Sequence, residues 1–82
     1  MSNTISEKEY LEIFSDNLRE LMESGGWTQQ TLSEDAHISQ STLSGYLNGT
    51  VMPGLRAVQN ICMVLGITLD DLLPYGGIIR IE

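Results

Sequence analysis

Eighty-two residues with 41% apolar content, a formal net charge of −7 and one cysteine describe a single small domain with an ordinary core. This composition excludes a disordered chain, a two-domain protein and a disulfide-stapled scaffold. No apolar run approaches the roughly 18 residues of a membrane span, and the polar start MSNTISEKEY lacks a secretory pattern, so the expectation is a cytoplasmic protein without a membrane partner.

Residues 1–5 read as a flexible arm. Ser6-Glu7-Lys8-Glu9 matches a capping box, which starts a first helix at Ser6. Tyr10, Leu11, Phe14, Leu18, Leu21 and Met22 recur at helical spacing until Ser24-Gly25-Gly26 ends the run. The opposite face carries Glu9, Glu12, Asp16, Glu20 and Glu23, a solvated acidic face that could also dock a basic protein partner.

Thr28 is the next N-cap, and Gln29–Asp35 forms a short helix with Leu32 as its apolar contact. Ala36-His37-Ile38 makes the turn, where a residue able to adopt positive φ is wanted and His37 is the candidate. Ser39 caps a third helix over Gln40–Leu47, stopped by Asn48-Gly49. Leu32, Ala36, Ile38, Leu43 and Tyr46 face inward, while Gln40, Ser41, Ser44 and Gly45 fall on the outer side. Caps, turn and apolar spacing agree on a helix-turn-helix.

A loop, Thr50-Val51-Met52-Pro53-Gly54, separates this unit from a fourth helix over Leu55–Leu65, with Leu55, Val58, Ile61, Cys62 and Leu65 on one stripe. Cys62 reads as a small buried hydrophobe there. Thr68-x-x-Asp71 opens a brief fifth helix carrying Leu69, Leu72 and Leu73, which Pro74 ends. After Gly76-Gly77, the run Ile78-Ile79-Arg80-Ile81 has the β-branched composition of a strand. The organisation is therefore an arm over 1–5, a helix-turn-helix domain over 6–73 and a tail over 74–82 that stays disordered, packs as an extended segment or pairs with a second copy.

Enzyme chemistry is missing from the sequence. His37 is the only histidine, no second His or Cys completes a metal site, and Gly25-Gly26 lacks the spacing and lysine of a phosphate loop. The reading is no enzyme, no metal and no cofactor. The net charge argues against nucleic acid, because affinity for phosphates comes from Lys and Arg, and the chain has four. The distribution answers this objection. Eight of the eleven carboxylates lie in residues 7–35, and none lies between Ala36 and Leu69, a span that carries Arg56.

From Phe14 to Leu73 the chain resembles the phage repressor and Cro-type helix-turn-helix family, the XRE-like domains. The resemblance rests on Leu18-x-x-Leu21, Gly26-Trp27-Thr28-Gln29, Ile38-Ser39-Gln40-Ser41-Thr42-Leu43-Ser44, Tyr46-Leu47-Asn48-Gly49, Pro53 and Leu65-Gly66-Ile67-Thr68-Leu69-Asp70-Asp71-Leu72. It implies an all-α, five-helix, lambda-repressor-like DNA-binding domain with the third helix as the recognition helix. Gln29 matches the family glutamine that bonds a phosphate, while Gln40 and Ser41 stand where the family reads base edges. Ser44 and Gly45 lie a turn further along. The resemblance gives Thr42 a backbone phosphate or a thymine methyl, and Asn48 with Thr50 the loop that touches phosphate.

The sequence also departs from the family. Gly45 and Thr50 stand where basic residues are usual. Met22 and Leu47 replace an Arg–Glu pair between the first and third helices, and His37 replaces a glycine. The implied function is a sequence-specific transcriptional regulator, a phage or prophage-type repressor, binding a double-stranded operator as a homodimer. Leu69, Leu72 and Leu73, or Ile78, Ile79 and Ile81 of the tail, are the candidate dimer surfaces. The alternative is an antitoxin-like or antirepressor interaction module on the same fold, gripping a partner protein through the acidic first helix or the tail.

Overall fold

Serine or threonine stands at the N-cap of four of the five helices, where the sequence predicts. In the computed structural model, which describes residues 4–74, the elements are α1 (Glu7–Gly25), α2 (Gln29–Asp35), α3 (Gln40–Leu47), α4 (Leu55–Leu65) and α5 (Leu69–Leu72). Ser6 Oγ accepts from Glu9 N–H at 3.1 Å. Thr28 and Thr31 form a reciprocal box, each hydroxyl accepting the other's N–H at 3.1 and 3.2 Å. At α5 the Asp71 carboxylate reaches back to Thr68 N–H at 3.1 Å. Each such bond satisfies a helix-end N–H that has no partner within the helix. The C-terminus of α1 turns at Gly26, whose φ of 71° is the left-handed conformation that glycine adopts without a Cβ penalty.

The described residues contain no strand, so the domain is all-α. The tail residues Ile78, Ile79 and Ile81, read as a pairing strand, and residues 1–3 of the arm lie outside the described residues. No described helix is long and apolar enough to cross a membrane.

One core binds the five helices together. Phe14 and Leu18 from α1, Leu32 from α2, Leu43 from α3, Ile61 from α4 and Leu72 from α5 are fully buried. α1 packs against α3, α4 and α5, while α2 packs against α3 and α4, so the α2–α3 pair rests on the other helices. Phe14 meets Tyr46 edge-to-face, with ring centroids 5.8 Å apart and planes at 78°. This arrangement sets the electropositive ring edge against the π-face and fixes α3 against α1.

Two side-chain amides bond carbonyls that the helices leave open. Asn17 Nδ2 donates to Leu72 O at 3.0 Å, joining α1 to α5. Asn60 Nδ2 donates to Ala36 O at 3.1 Å, joining α4 to the interhelical turn. Cys62 is buried, and both burial and the nearby Asp71 carboxylate push its thiol pKa up, which keeps it protonated at neutral pH.

Two apolar positions differ from the sequence reading. Leu55, assigned to the buried stripe of α4, is 71% exposed, and the stripe consists of Ala57, Val58, Ile61 and Cys62. Helical periodicity fixes which side faces inward, not how far along the axis the neighbours extend. Leu72, assigned to a dimer surface, is fully buried in the protomer's own core, whereas Leu69 is 40% exposed. A four-residue helix has room for one inward anchor, and Leu72 takes that place.

His37 occupies the turn with φ of 55°, the one non-glycine residue at positive φ among those described. That conformation costs an L-residue about 1–2 kcal/mol, less for histidine than for a β-branched residue. His37→Gly is therefore expected to stabilise the domain by about 0.5–1 kcal/mol and raise its melting temperature by about 2–8 °C. A thermal unfolding curve measures this, and an unchanged or lower midpoint would contradict the strained turn.

Candidate nucleic-acid interface

The turn before α3 is closed by backbone bonds from Ile38 N–H to Ser33 O at 3.0 Å and from His37 N–H to Glu34 O at 3.3 Å. Ile38 is buried, so the chain enters α3 anchored. Ser39 Oγ accepts from Thr42 N–H at 3.1 Å and donates to Thr42 Oγ1 at 2.8 Å. The half-buried Thr42 is thus part of the cap. Leu43, Tyr46 and Leu47 are buried beneath the helix. Gln40 and Ser41 stand exposed at its first turn, and Ser44 is half-buried one turn on. The sequence places these three side chains on one outer side, and the structure keeps them there. They offer donors and acceptors without formal charge.

Gly45 differs from expectation. The sequence reading put it on the outer side of α3, but it is buried, because the loop after α3 folds back over it. Thr50 N–H, Val51 N–H and Thr50 Oγ1 all donate to Gly45 O, at 2.9, 3.3 and 3.3 Å. A methyl group built on Gly45 would overlap Val51 Cγ2 and lie 3.1 Å from Val51 Cβ. Glycine lets the loop approach this closely without displacing Val51, which sequence periodicity alone does not show. Thr50, read as a phosphate contact, spends both its N–H and its hydroxyl donor on that same carbonyl.

Beside α3 lies a shallow cleft of about 320 Å³, lined by Arg19, Met22, Glu23, Trp27, Gln29, Leu47 and Asn48. Gln29 stands exposed at the start of α2, and Asn48 stands exposed at the end of α3. Met22 and Leu47 both line the cleft and are buried, and they are the apolar residues that the family resemblance sets in place of an ion pair. Such a replacement need not cost stability, since burying an ion pair carries a desolvation penalty.

Arg19 is the residue that sequence reasoning missed. Its Nη2 donates to Leu47 O, and its Nη1 pairs with Asp16 Oδ1 at 3.3 Å. A guanidinium on the last carbonyl of α3 suits the negative end of that helix's dipole. The available signal was spacing, since Arg19 lies one turn before Met22 on the same face of α1. The cleft thus gathers a cation and two exposed amides, with Glu23 as an opposing charge.

These features define a helix-turn-helix of the DNA-binding, transcription-regulating class, with an uncharged polar helix presented on a fixed support. A family model described as helix-turn-helix matches residues 18–72. The chain belongs to this XRE-type helix-turn-helix family.

Among solved structures, the chain is similar to the restriction-modification controller protein C.AhdI from Aeromonas hydrophila. The two share 27% identity over 77% of this chain and 96% of that one, with a TM-score of 0.73. It is also similar in fold to a hypothetical transcription factor, NHTF, from Neisseria, with 18% identity, coverage of 90% and 85%, and a TM-score of 0.75. A third likeness in fold is to an SOS-response transcriptional repressor, LexA, from Eubacterium rectale, with 20% identity, coverage of 95% and 83%, and a TM-score of 0.77. No curated protein sequence matches the chain.

Proposed function

We propose that this protein is a sequence-specific regulator of transcription, a repressor of phage or prophage type, that reads the major groove with α3 as a homodimer. The observation that carries this reading is the outer side of α3. Gln40 and Ser41 are exposed at its first turn, beside a cleft holding Arg19, Gln29 and Asn48.

Gln40 can bond adenine N6 and N7 together, and Ser41 can give or take a bond with several bases. Ser44 sits deeper, and Thr42, whose hydroxyl oxygen accepts from Ser39, offers its O–H donor and its methyl. Gln29, Asn48 and Arg19 take phosphates and fix the register of α3. Gly45 and Thr50 contribute by seating the loop. The likeness to a restriction-modification controller at 27% identity supports the regulatory role. In a dimer, the exposed Leu69 and the half-buried Leu73 are the parts of α5 left for a second copy.

Selection of bound sequences from random duplex DNA by the purified protein tests this proposal. The expected result is an enriched two-fold sequence. Gln40→Ala is expected to weaken binding by about 5- to 150-fold and to flatten base preference at one position, since a bidentate pair is worth about 1–3 kcal/mol. Unchanged affinity and preference would remove α3 as the reader. Affinity is expected to fall only shallowly with salt, because each phosphate neutralised contributes about 0.9 to the slope and few cations are present. Arg19→Met is expected to reduce that slope by about one.

A second reading is supported by the exposed carboxylates of Glu12, Asp16, Glu20 and Glu23 along α1. On it, the domain serves as an antitoxin-like or antirepressor module that holds a basic protein. No enrichment from random DNA at low salt, together with a co-purifying partner, would favour this alternative.

A further inference from the structure

The loop that closes over α3 places Val51 where a side chain of residue 45 would stand. The overlap of Val51 Cγ2 with any Cβ on Gly45 means that the valine fills that space. The loop is held by three hydrogen bonds converging on Gly45 O, so the position of Val51 is set by α3 itself. Val51 is nevertheless 39% exposed. By helical spacing residue 45 shares its side of α3 with Ser41, four residues before it, so the isopropyl group seated over Gly45 lies on the side that carries Ser41. It is an apolar group beside a polar face, in a loop whose next residue, Met52, is exposed as well.

We propose that Val51 is a specificity-determining residue that takes the 5-methyl group of a thymine in the major groove. The inference rests on the DNA-binding reading above. The thymine methyl is the one apolar group that base pairs present in the major groove, and an apolar side chain reads it by excluding water from both surfaces. A lysine or arginine at residue 45 would reach for phosphate. This chain instead presents a short branched hydrocarbon from residue 51, and the glycine makes room for it.

The test uses the full chain and the sequence enriched from random duplex DNA. Each thymine of that sequence is replaced singly by deoxyuridine, which removes the 5-methyl group and leaves base pairing intact. One thymine per recognised half is expected to show a loss of about three- to fivefold for the unmodified protein, the value of one buried methyl-sized group. In Val51→Ala, that ratio is expected to fall to about one, while the other thymines keep their ratios. Val51→Thr preserves the shape seated on Gly45 and is expected to lower the ratio at the same thymine. It supplies the answer should the alanine variant lose its fold in a thermal melt.

A thymine-to-deoxyuridine profile identical in all three proteins would overturn the proposal. So would a Val51→Ala variant that binds every sequence more weakly by the same factor. In both cases the enriched sequence would remain and the DNA-binding reading would stand. Absence of any enriched sequence would remove the reading itself and this inference with it.

Discussion

Phe14→Ala is expected to strip the domain of a large share of its stability. The side chain is fully buried at the centre of the core and supports Tyr46 of α3 through an edge-to-face contact. Removing a buried phenyl ring costs about 3–5 kcal/mol, from lost burial and the cavity left behind. A domain of this length is stable by on the order of 4–12 kcal/mol in total. Each kcal/mol shifts the melting temperature of a small domain by about 4–8 °C, so a fall of about 12–40 °C is expected. Circular dichroism on heating measures it.

Phe14→Leu should retain the fold. A double-mutant cycle of Phe14→Leu with Tyr46→Leu should return a coupling of about 0.5–1.5 kcal/mol, the worth of an aromatic pair beyond its buried area. A Phe14→Ala protein melting within a few degrees of the parent would show that α3 is not supported from α1 in this way.

Gly45→Ala is expected to destabilise a helix that alanine would ordinarily strengthen. In an open helix interior the exchange gains about 1 kcal/mol. Here the new methyl meets Val51, and forcing an extra carbon into a packed site costs about 1–3 kcal/mol. The hydrogen bonds from residues 50 and 51 to Gly45 O must loosen with the displaced loop. These two magnitudes leave a net loss of about 0–2 kcal/mol, to which the loosened bonds add, read as a fall in melting temperature.

The sign should reverse in a Val51→Ala background, where the space is vacated and alanine's helix preference acts alone. Denaturant unfolding of the four proteins in this cycle measures the coupling. A Gly45→Ala variant more stable than the parent in both backgrounds would contradict the seated loop. For the same reason, placing an arginine or lysine at this position would unseat the loop before it added a useful charge.

The helices were legible in the sequence because their signals are local. Ser6, Thr28, Ser39 and Thr68 mark helix starts by chemistry that acts over three residues, and each stands at an observed N-cap. His37 was legible for the same reason, since a two-helix turn needs one left-handed residue and the sequence leaves few candidates. Gln29, Gln40 and Ser41 fall where the periodicity of α2 and α3 puts them, on exposed faces.

The misreadings all concern neighbours distant along the chain or the reach of a side chain. Nothing near Gly45 announces that the loop returns over it. Leu72 and Leu55 are equal in hydrophobicity, and only the extent of the surrounding helices buries one and exposes the other. Arg19 lies twenty-eight residues before the carbonyl that holds it. Local periodicity has no means of foreseeing such a bond.

The segregation of carboxylates into residues 7–35 bears on how such a regulator would be distributed in a cell. Indiscriminate adhesion to chromosomal DNA is supplied by cations, and here four Lys and Arg stand against eleven carboxylates. On the proposed reading, almost the entire pool of protein stays free in solution instead of being sequestered on the genome. Occupancy of the cognate sequence then follows the number of copies made, with little buffering from competing sites. Small changes in synthesis or degradation would pass directly into the regulatory output.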